Sequence, residues 1–362
     1  MISTFNLGIR SPLISTLIAT VFLAPVQFQA QTNRTVTSLA DGVYEIQHKD
    51  AHDGSASGNT TVIIGDRQVF VVDSCFLPSA AREDIAQIRQ WTDKPVAFVL
   101  DTHFHNDHNL GNRTYMEAFP SLTIIAHEET KKDMDMFGPG SADRQAKGLA
   151  VLKQMLDTGK TRDGGALTSE EINDVKAALA QRTRVVDEIR AVAFQSATLT
   201  FTHDFTIDLG NREVVVKFLG RGNTSGDAVA YLPKEKIVVA GDLVVYPLPY
   251  IYDGYPTEWI QTLQNLAQLD ADTIVPGHGP ILRDKSYVYL VRDLLRSGVE
   301  QMNATLKRTG PAMFHSLDEV RSSVDLTSFR QRFAGSDKDL SAAFDGMSAD
   351  LVKVIFEEAS LR

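Results

Sequence analysis

The sequence predicts a mixed α+β fold built in layers, and three observations carry that reading. Short β-branched runs crowd the first part of the chain, a helical stretch interrupts them over residues 141–192, and strand signals return before a helical tail of residues 286–362. The succession β-rich, helical, β-rich suggests two related halves. At 362 residues and 43% hydrophobic, the chain can bury a full-sized core, one large domain with an extension.

The elements follow in order. After Arg10, the run SPLISTLIATVFLAPV is too short for a membrane span and has the length of a signal-peptide core. Residues 1–30 are therefore predicted to be a signal peptide, with Ala30 offered for cleavage. The mature chain is expected to be periplasmic or secreted, with no stable membrane span after signal removal. Cys75 is the single cysteine, so no intrachain disulfide forms, which suits any compartment.

From Val43 onward GVYEIQ, NTTVIIG and QVFVVDS, separated by Gly, Asp and Asn turn signals, read as consecutive antiparallel strands. In LPSAAREDIAQIRQWT, Ile85, Ile88 and Trp91 recur at helical spacing, and the apolar PVAFVL then ends directly at Asp101. The carboxyl end of such a buried strand is where layered α/β folds bind ligands. LTIIAHEET reads as a strand passing into a helix. Residues 141–192 are an insertion of two helices around DTGKTRDGG, the second started by a capping box of Thr168 and Glu171. The insertion either overhangs the site as a lid or packs as exposed helix.

ATLTF, REVVVKFLG, DAVAYL and KIVVAGDLV restore the strands, and beyond ADTIVPGHGP the chain is helical. Ser316 and Glu319 form a second capping box, and Leu340, Phe344, Met347, Leu351 and Ile355 make an amphipathic stripe. These helices either cover the core or pair with a second copy, so a homodimer through the tail is an expectation. The formal charge of -10 provides no basic stripe for a phosphate backbone. A small-molecule substrate is expected, and no nucleic acid.

The chemistry concentrates in DTHFHNDHNLGN. His103 and His105, two apart in an extended loop, project to one side, while Asp107 and His108 fall on the following turn and face a second point nearby. Two adjacent metal sites are thereby predicted. Imidazole and carboxylate suit Zn²⁺ best, with Fe or Mn also compatible.

HFHNDH following PVAFVLDT resembles the signature of the metallo-β-lactamase superfamily, and the resemblance extends over residues 36–285. It implies a four-layer αββα sandwich, two face-to-face sheets with helices outside, carrying the helical insertion and the C-terminal helical tail. Three later segments are similar to the family's remaining site segments. VAGDLV carries Asp242, similar to the bridging aspartate of many members, and VPGHGP carries His278, similar to the last ligand of the second metal. FLGRGNTSGD stands where the family has the third histidine of the first metal, and Asp73 in VVDS matches a supporting aspartate.

One departure matters: the family pattern implies histidine at position 223, where this chain has Asn223. An amide oxygen is a weaker, neutral donor. The first site is thus expected to hold His103, His105 and Asp242 with Asn223 as a poor fourth ligand. Asp107, His108, Asp242 and His278 complete the second, which fills first, so one or two Zn²⁺ ions are expected.

A metal ion there lowers the pKa of bound water toward about 7 and polarises a carbonyl or phosphoryl oxygen, so hydrolysis is the implied chemistry. Asp107 is assigned the orientation of the attacking water. A redox role would call for a flavin-binding domain, and no Gly-rich mononucleotide loop is present. The implied substrate bond is an amide, ester or lactone, β-lactams included. A thioester or phosphodiester, or a non-catalytic binding protein with a degraded first site, stay open as alternatives.

VVYPLPYIYDGYPTEW gathers Tyr246, Tyr250, Tyr252, Tyr255 and Trp259 either as an aromatic wall, with Tyr250 a candidate substrate contact, or as core packing. Arg221, beside Asn223, is a candidate for holding an anionic substrate group or a solvated loop charge.

Overall fold

The computed structural model describes residues 34–309 and 317–360. The predicted signal peptide and Ser316 of the second capping box lie outside the described residues.

Two sheets form the centre. The first has seven strands in chain order: β1 (Arg34–Ala40), β2 (Val43–His48), β3 (Thr60–Ile64), β4 (Val69–Val72), β5 (Val96–Leu100), β6 (Thr123–His127) and β7 (Leu199–Phe201). Pairing is antiparallel from β1 to β4, as the hairpin signals predict, and parallel from β4 to β7. The switch follows from the connections, because α1 (Pro78–Trp91) carries the chain back over the sheet between β4 and β5. The second sheet has five strands in the order β12 (Thr273–His278), β11 (Ile237–Val245), β10 (Ala228–Leu232), β9 (Glu213–Phe218) and β8 (Phe205–Asp208). Only its β11–β12 pair is parallel.

The facing sheets share a core of Ile63, Phe70, Val72, Leu100 and Ile125 against Val214, Val216, Ala230, Val239 and Val275. Outside the first sheet lie α1, α2 (Asn106–Asn109), α3 (Asn112–Ala118) and α4 (Glu128–Phe137). There Ala81, Ile85, Ile88, Tyr115 and Met134 pack on Val62, Val71, Val99 and Ile124. β4 reads as an unbroken apolar run because both of its faces are covered. Outside the second sheet lie α7 (Pro256–Gln268), α8 (Ser286–Thr309), α9 (Leu317–Ser322), α10 (Thr327–Ala334) and α11 (Lys338–Ser360). Trp259, Leu263, Val291, Leu295, Phe344 and Leu351 fuse them with Val238, Ala240 and Ile274. The αββα sandwich is thus present, and the stripe of α11 covers the chain's own core. No helix among the described residues is long and apolar enough to cross a membrane.

The insertion is the pair α5 (Ser141–Thr158) and α6 (Ser169–Arg190), with the Thr168–Glu171 capping box formed as predicted. It is not loose decoration. Val185 and Ile189 of α6 join Phe76 and Leu110 in a small apolar cluster under the histidine loop.

Candidate metal centre

The site forms where β4 and β5 of one sheet and β11 and β12 of the other reach their carboxyl ends. After β5, the Asp101 N–H makes one last ladder bond to the Ile125 carbonyl at 2.9 Å, and the chain then leaves the sheet. Short polar side chains hold the loop. Asn112 donates to Asp101 Oδ2 at 2.8 Å and accepts from Ser74 Oγ at 2.9 Å, while Asn109 donates to the Phe104 carbonyl at 2.9 Å. Asp242 lies within β11, where a register irregularity falls at Gly241, φ +52°. Such a bulge re-aims the next side chain, here toward the other sheet's loop. His278 ends β12 beside it.

The outward nitrogens of three histidines are engaged. His103 Nδ1 lies 3.0 Å from Thr102 Oγ1, His105 Nε2 3.0 Å from Asp253 Oδ2, and His108 Nδ1 2.9 Å from Asp73 Oδ2. Thr102 Oγ1 donates to Asp73 Oδ2 at 2.9 Å, so it accepts from His103. These contacts put each ring proton on the outward nitrogen and turn a lone pair inward. The inward atoms converge: His103 Nε2 is 2.9 Å from His105 Nδ1, and His108 Nε2 is 3.1 Å from His278 Nε2. For the His103–His105 pair, whose outward nitrogens hold the ring protons, two lone pairs that close repel unless a cation lies against both. Asp242 spans the two groups, Oδ2 being 3.6 Å from His103 Nε2 and Oδ1 3.3 Å from His108 Nε2. Asp107 Oδ2 stands 3.0 Å from His278 Nε2. The donor set fits metal ions: His103, His108 and Asp242 make one potential group, Asp107, His108 and His278 another.

Electrostatics point the same way. Burial pushes the Asp107 and Asp242 carboxyls up, but the charges of His108 and His278 reverse this and hold both well below the usual range. Burial lowers the His108 imidazole, and Asp242, Asp107 and Asp73 outweigh it, raising it well above normal. His103 goes the other way, lowered by burial and by His108. A carboxylate cluster this buried demands positive charge, and a proton on His108 or a metal ion is an alternative answer to one field.

Asn223 is fully buried; its Nδ2 donates to the Tyr250 carbonyl at 2.7 Å, and its Oδ1 has no hydrogen-bond partner. Its loop is pinned by Asp227, which accepts from the Gly222 and Thr224 N–H groups at 3.2 and 2.7 Å and which burial pushes up to about 7.

The centre opens on a cavity of about 580 Å³ lined by His105, Asp107, Asp242, His278 and Tyr250, with Gln145 and Arg182 contributed by the insertion. Tyr250 stands edge-on to His105 at 5.3 Å, and burial pushes its hydroxyl up to about 12. Arg221 is not part of this wall. Its guanidinium pairs with Glu258 of α7 through two nitrogens and lies 4.2 Å over the Tyr255 ring. Trp259, fully buried, also leaves the expected wall for the core.

Sequence reading missed Asp253, which orients His105, and two glycines of close approach. A Cβ at Gly58 would meet His108 Cε1 at 2.4 Å, and one at Gly277 would meet Asp242 Oδ1 at 1.9 Å. Gly277 neighbours His278 in VPGHGP, a signal that could have found it; Asp253 sits in an ordinary Asp-Gly turn. A further buried group, His48, Cys75 and Asp84, is an ion-pair network in which Arg34 and His48 already flank the Asp84 carboxylate.

The linear primary-alkylsulfatase of Pseudomonas sp. (strain ATCC 19151) is 24% identical over 247 residues, 64% of this chain and 43% of that protein. The metallo-beta-lactamase type 2 of Bacillus sp. (strain 170) is 30% identical over 96 residues, 25% of this chain and 37% of its own length. The chain therefore spans less than half the length of these curated relatives. Among solved structures, the metallo-beta-lactamase FIM-1 from Pseudomonas aeruginosa in its mono-zinc form matches with a TM-score of 0.51 at 16% identity, over 73% of this chain and 95% of that one. TMB-1 matches with a TM-score of 0.51 at 18% identity, over 73% and 97%. These two likenesses carry the fold. The profile of the Metallo-beta-lactamase superfamily matches residues 54–278, well over half the chain and every residue of the His/Asp cluster, and the chain belongs to that superfamily.

Proposed function

We propose that this chain is an exported metal-dependent hydrolase that cleaves an amide, ester or lactone bond of a small substrate, with Zn²⁺ as its metal. The observation that carries the reading is the inward convergence of His103, His105, Asp107, His108 and His278 around Asp242, at the floor of a cavity open to small molecules. Superfamily members are metal-dependent hydrolases. A bound metal ion supplies Lewis acidity, acidifying water and polarising the scissile carbonyl. His103, His105 and Asp242 would hold the first ion, with Asn223 as a weak neutral donor, and Asp107, His108, Asp242 and His278 would hold the second. Asp107, ionised and facing the cavity, orients the attacking water. Asp73 and Asp253 keep two imidazoles in the ligating tautomer. Tyr250 forms part of the wall against which the substrate lies.

Asn223 favours a second reading, a binding protein that retains one metal without turnover. Chromogenic β-lactam, lactone, thioester, phosphodiester and sulfate ester substrates, run with added Zn²⁺ or Mn²⁺ and with chelator, decide between them. Chelator-sensitive turnover supports the hydrolase; metal binding with no turnover of any substrate supports the second reading.

A further inference from the structure

The insertion brings a cation to the cavity that the metal centre does not use. Arg182 of α6 lines the cavity, whose other ionisable lining groups are His105, Asp107, Asp242, His278 and Tyr250. Its Nε donates to Asp53 Oδ2 at 3.0 Å, and Asp53 is itself fixed by the Ser55 N–H on Oδ1 at 3.1 Å. One edge of the guanidinium is thus anchored. Its two terminal nitrogens donate no hydrogen bond among the described residues.

The opposing helix leaves space for this side chain. At Gly148 of α5 a Cβ would stand 2.2 Å from Arg182 Nη1 and 3.0 Å from its Cδ, so the guanidinium lies in a notch that only glycine provides. Much of the remaining lining is apolar: Ala56, Phe76, Val245, Leu248 and Pro249. The chain as a whole carries -10, so it repels anions at long range, and an anionic ligand needs a local cation.

We propose that Arg182 binds an anionic group of the substrate, so that the cavity selects a small molecule with an apolar body and a carboxylate or sulfonate-type group over its neutral analogue. This rests on reading the site as a hydrolase for the word substrate; the anion contact stands on the arginine. A guanidinium with its Nε edge occupied still offers terminal N–H donors in a planar fork, the geometry that oxyanions accept.

The test is calorimetric titration of the metal-replete protein with phenylacetate, phenylmethanesulfonate and neutral phenylacetamide, on wild type and Arg182→Gln. An anion that also touches metal does so in both proteins, so the ratio between them isolates the arginine. We expect Arg182→Gln to weaken binding of one or both anions by about tenfold to hundredfold and to leave phenylacetamide unchanged. The anion that responds identifies the class. Unchanged affinity for both anions overturns the proposal. If Arg182→Gln does not fold, Gly148→Ala keeps both charges and drives a methyl into the notch: weakened anion binding supports the proposal, and unchanged binding overturns it. Failure of every substrate to turn over would overturn the hydrolase reading while leaving this ratio to decide on Arg182.

Discussion

Replacing Asp73 with asparagine should turn His108 away from its ligating state while leaving the backbone in place. Asp73 has φ +58°, a left-handed conformation that asparagine tolerates better than other non-glycine residues, so the change is confined to the side chain. The carboxylate receives three donors: the Thr102 N–H at 2.8 Å on Oδ1, and the Thr102 hydroxyl and His108 Nδ1 at 2.9 Å each on Oδ2. An amide keeps one acceptor for the Thr102 N–H and presents an amino group to the other two. The Thr102 hydroxyl can rotate to accept. His108 can satisfy that amino group only by moving its proton to Nε2, the atom that faces Asp242 and His278, and there it ceases to be a ligand. Loss of charge-assisted hydrogen bonds in a buried setting costs about 2–4 kcal/mol of stability, and loss of such a supporting carboxylate weakens metal affinity about 10–100-fold. Competition with a chromogenic chelator measures the affinity, and urea unfolding of chelator-treated protein measures the stability. An Asp73→Asn protein with wild-type metal affinity and stability would refute this account of how the site is held.

Three further outcomes follow from the same geometry. Gly277→Ala places a methyl 1.9 Å from Asp242 Oδ1 and should displace the shared carboxylate, lowering metal affinity at least about tenfold by the chelator assay. Asn223→His supplies a strong donor in place of a neutral amide and should raise metal content from about one toward about two ions per chain, measured by elemental analysis. Burial raises the Glu45 carboxyl from its ordinary 4.5 to about 7, so the unfolded chain ionises it first and the fold loses stability as pH rises between those values. Glu45→Gln should therefore be more stable than wild type at pH 8, by up to about 3 kcal/mol, and should lose that advantage by about pH 4, read as the difference between the two unfolding curves.

Much of the fold was legible because its signals are local. Runs such as QVFVVDS and KIVVAGDLV carry their burial in their composition, and the Thr168–Glu171 box marks the start of α6 within one turn. The edge strands β1 and β8 are hard to see in the sequence because half-exposed residues at a sheet edge resemble loop sequence, and the segment of β12 shows its Gly-His motif more plainly than its strand. At the site, the clustered histidines announce themselves by spacing, whereas His278 lies 170 residues from His108 and only the strand order brings them together. Arg221 shows the limit of adjacency: it neighbours the site loop in sequence, yet Glu258 on α7 claims its charge. Arg182, by contrast, sits in an amphipathic helix with no motif around it, and only packing of α6 beneath the histidine loop delivers it to the cavity.

Metal content of the purified protein and of Asp242→Ala, with His203→Ala as an exposed-histidine control, tests the central claim most directly. At least one tightly held ion per chain is expected in wild type and His203→Ala, and its loss on dialysis from Asp242→Ala, which lacks the carboxylate that spans both groups. A wild-type protein that stays metal-free after incubation with Zn²⁺, or an Asp242→Ala protein that retains the full complement, would contradict it.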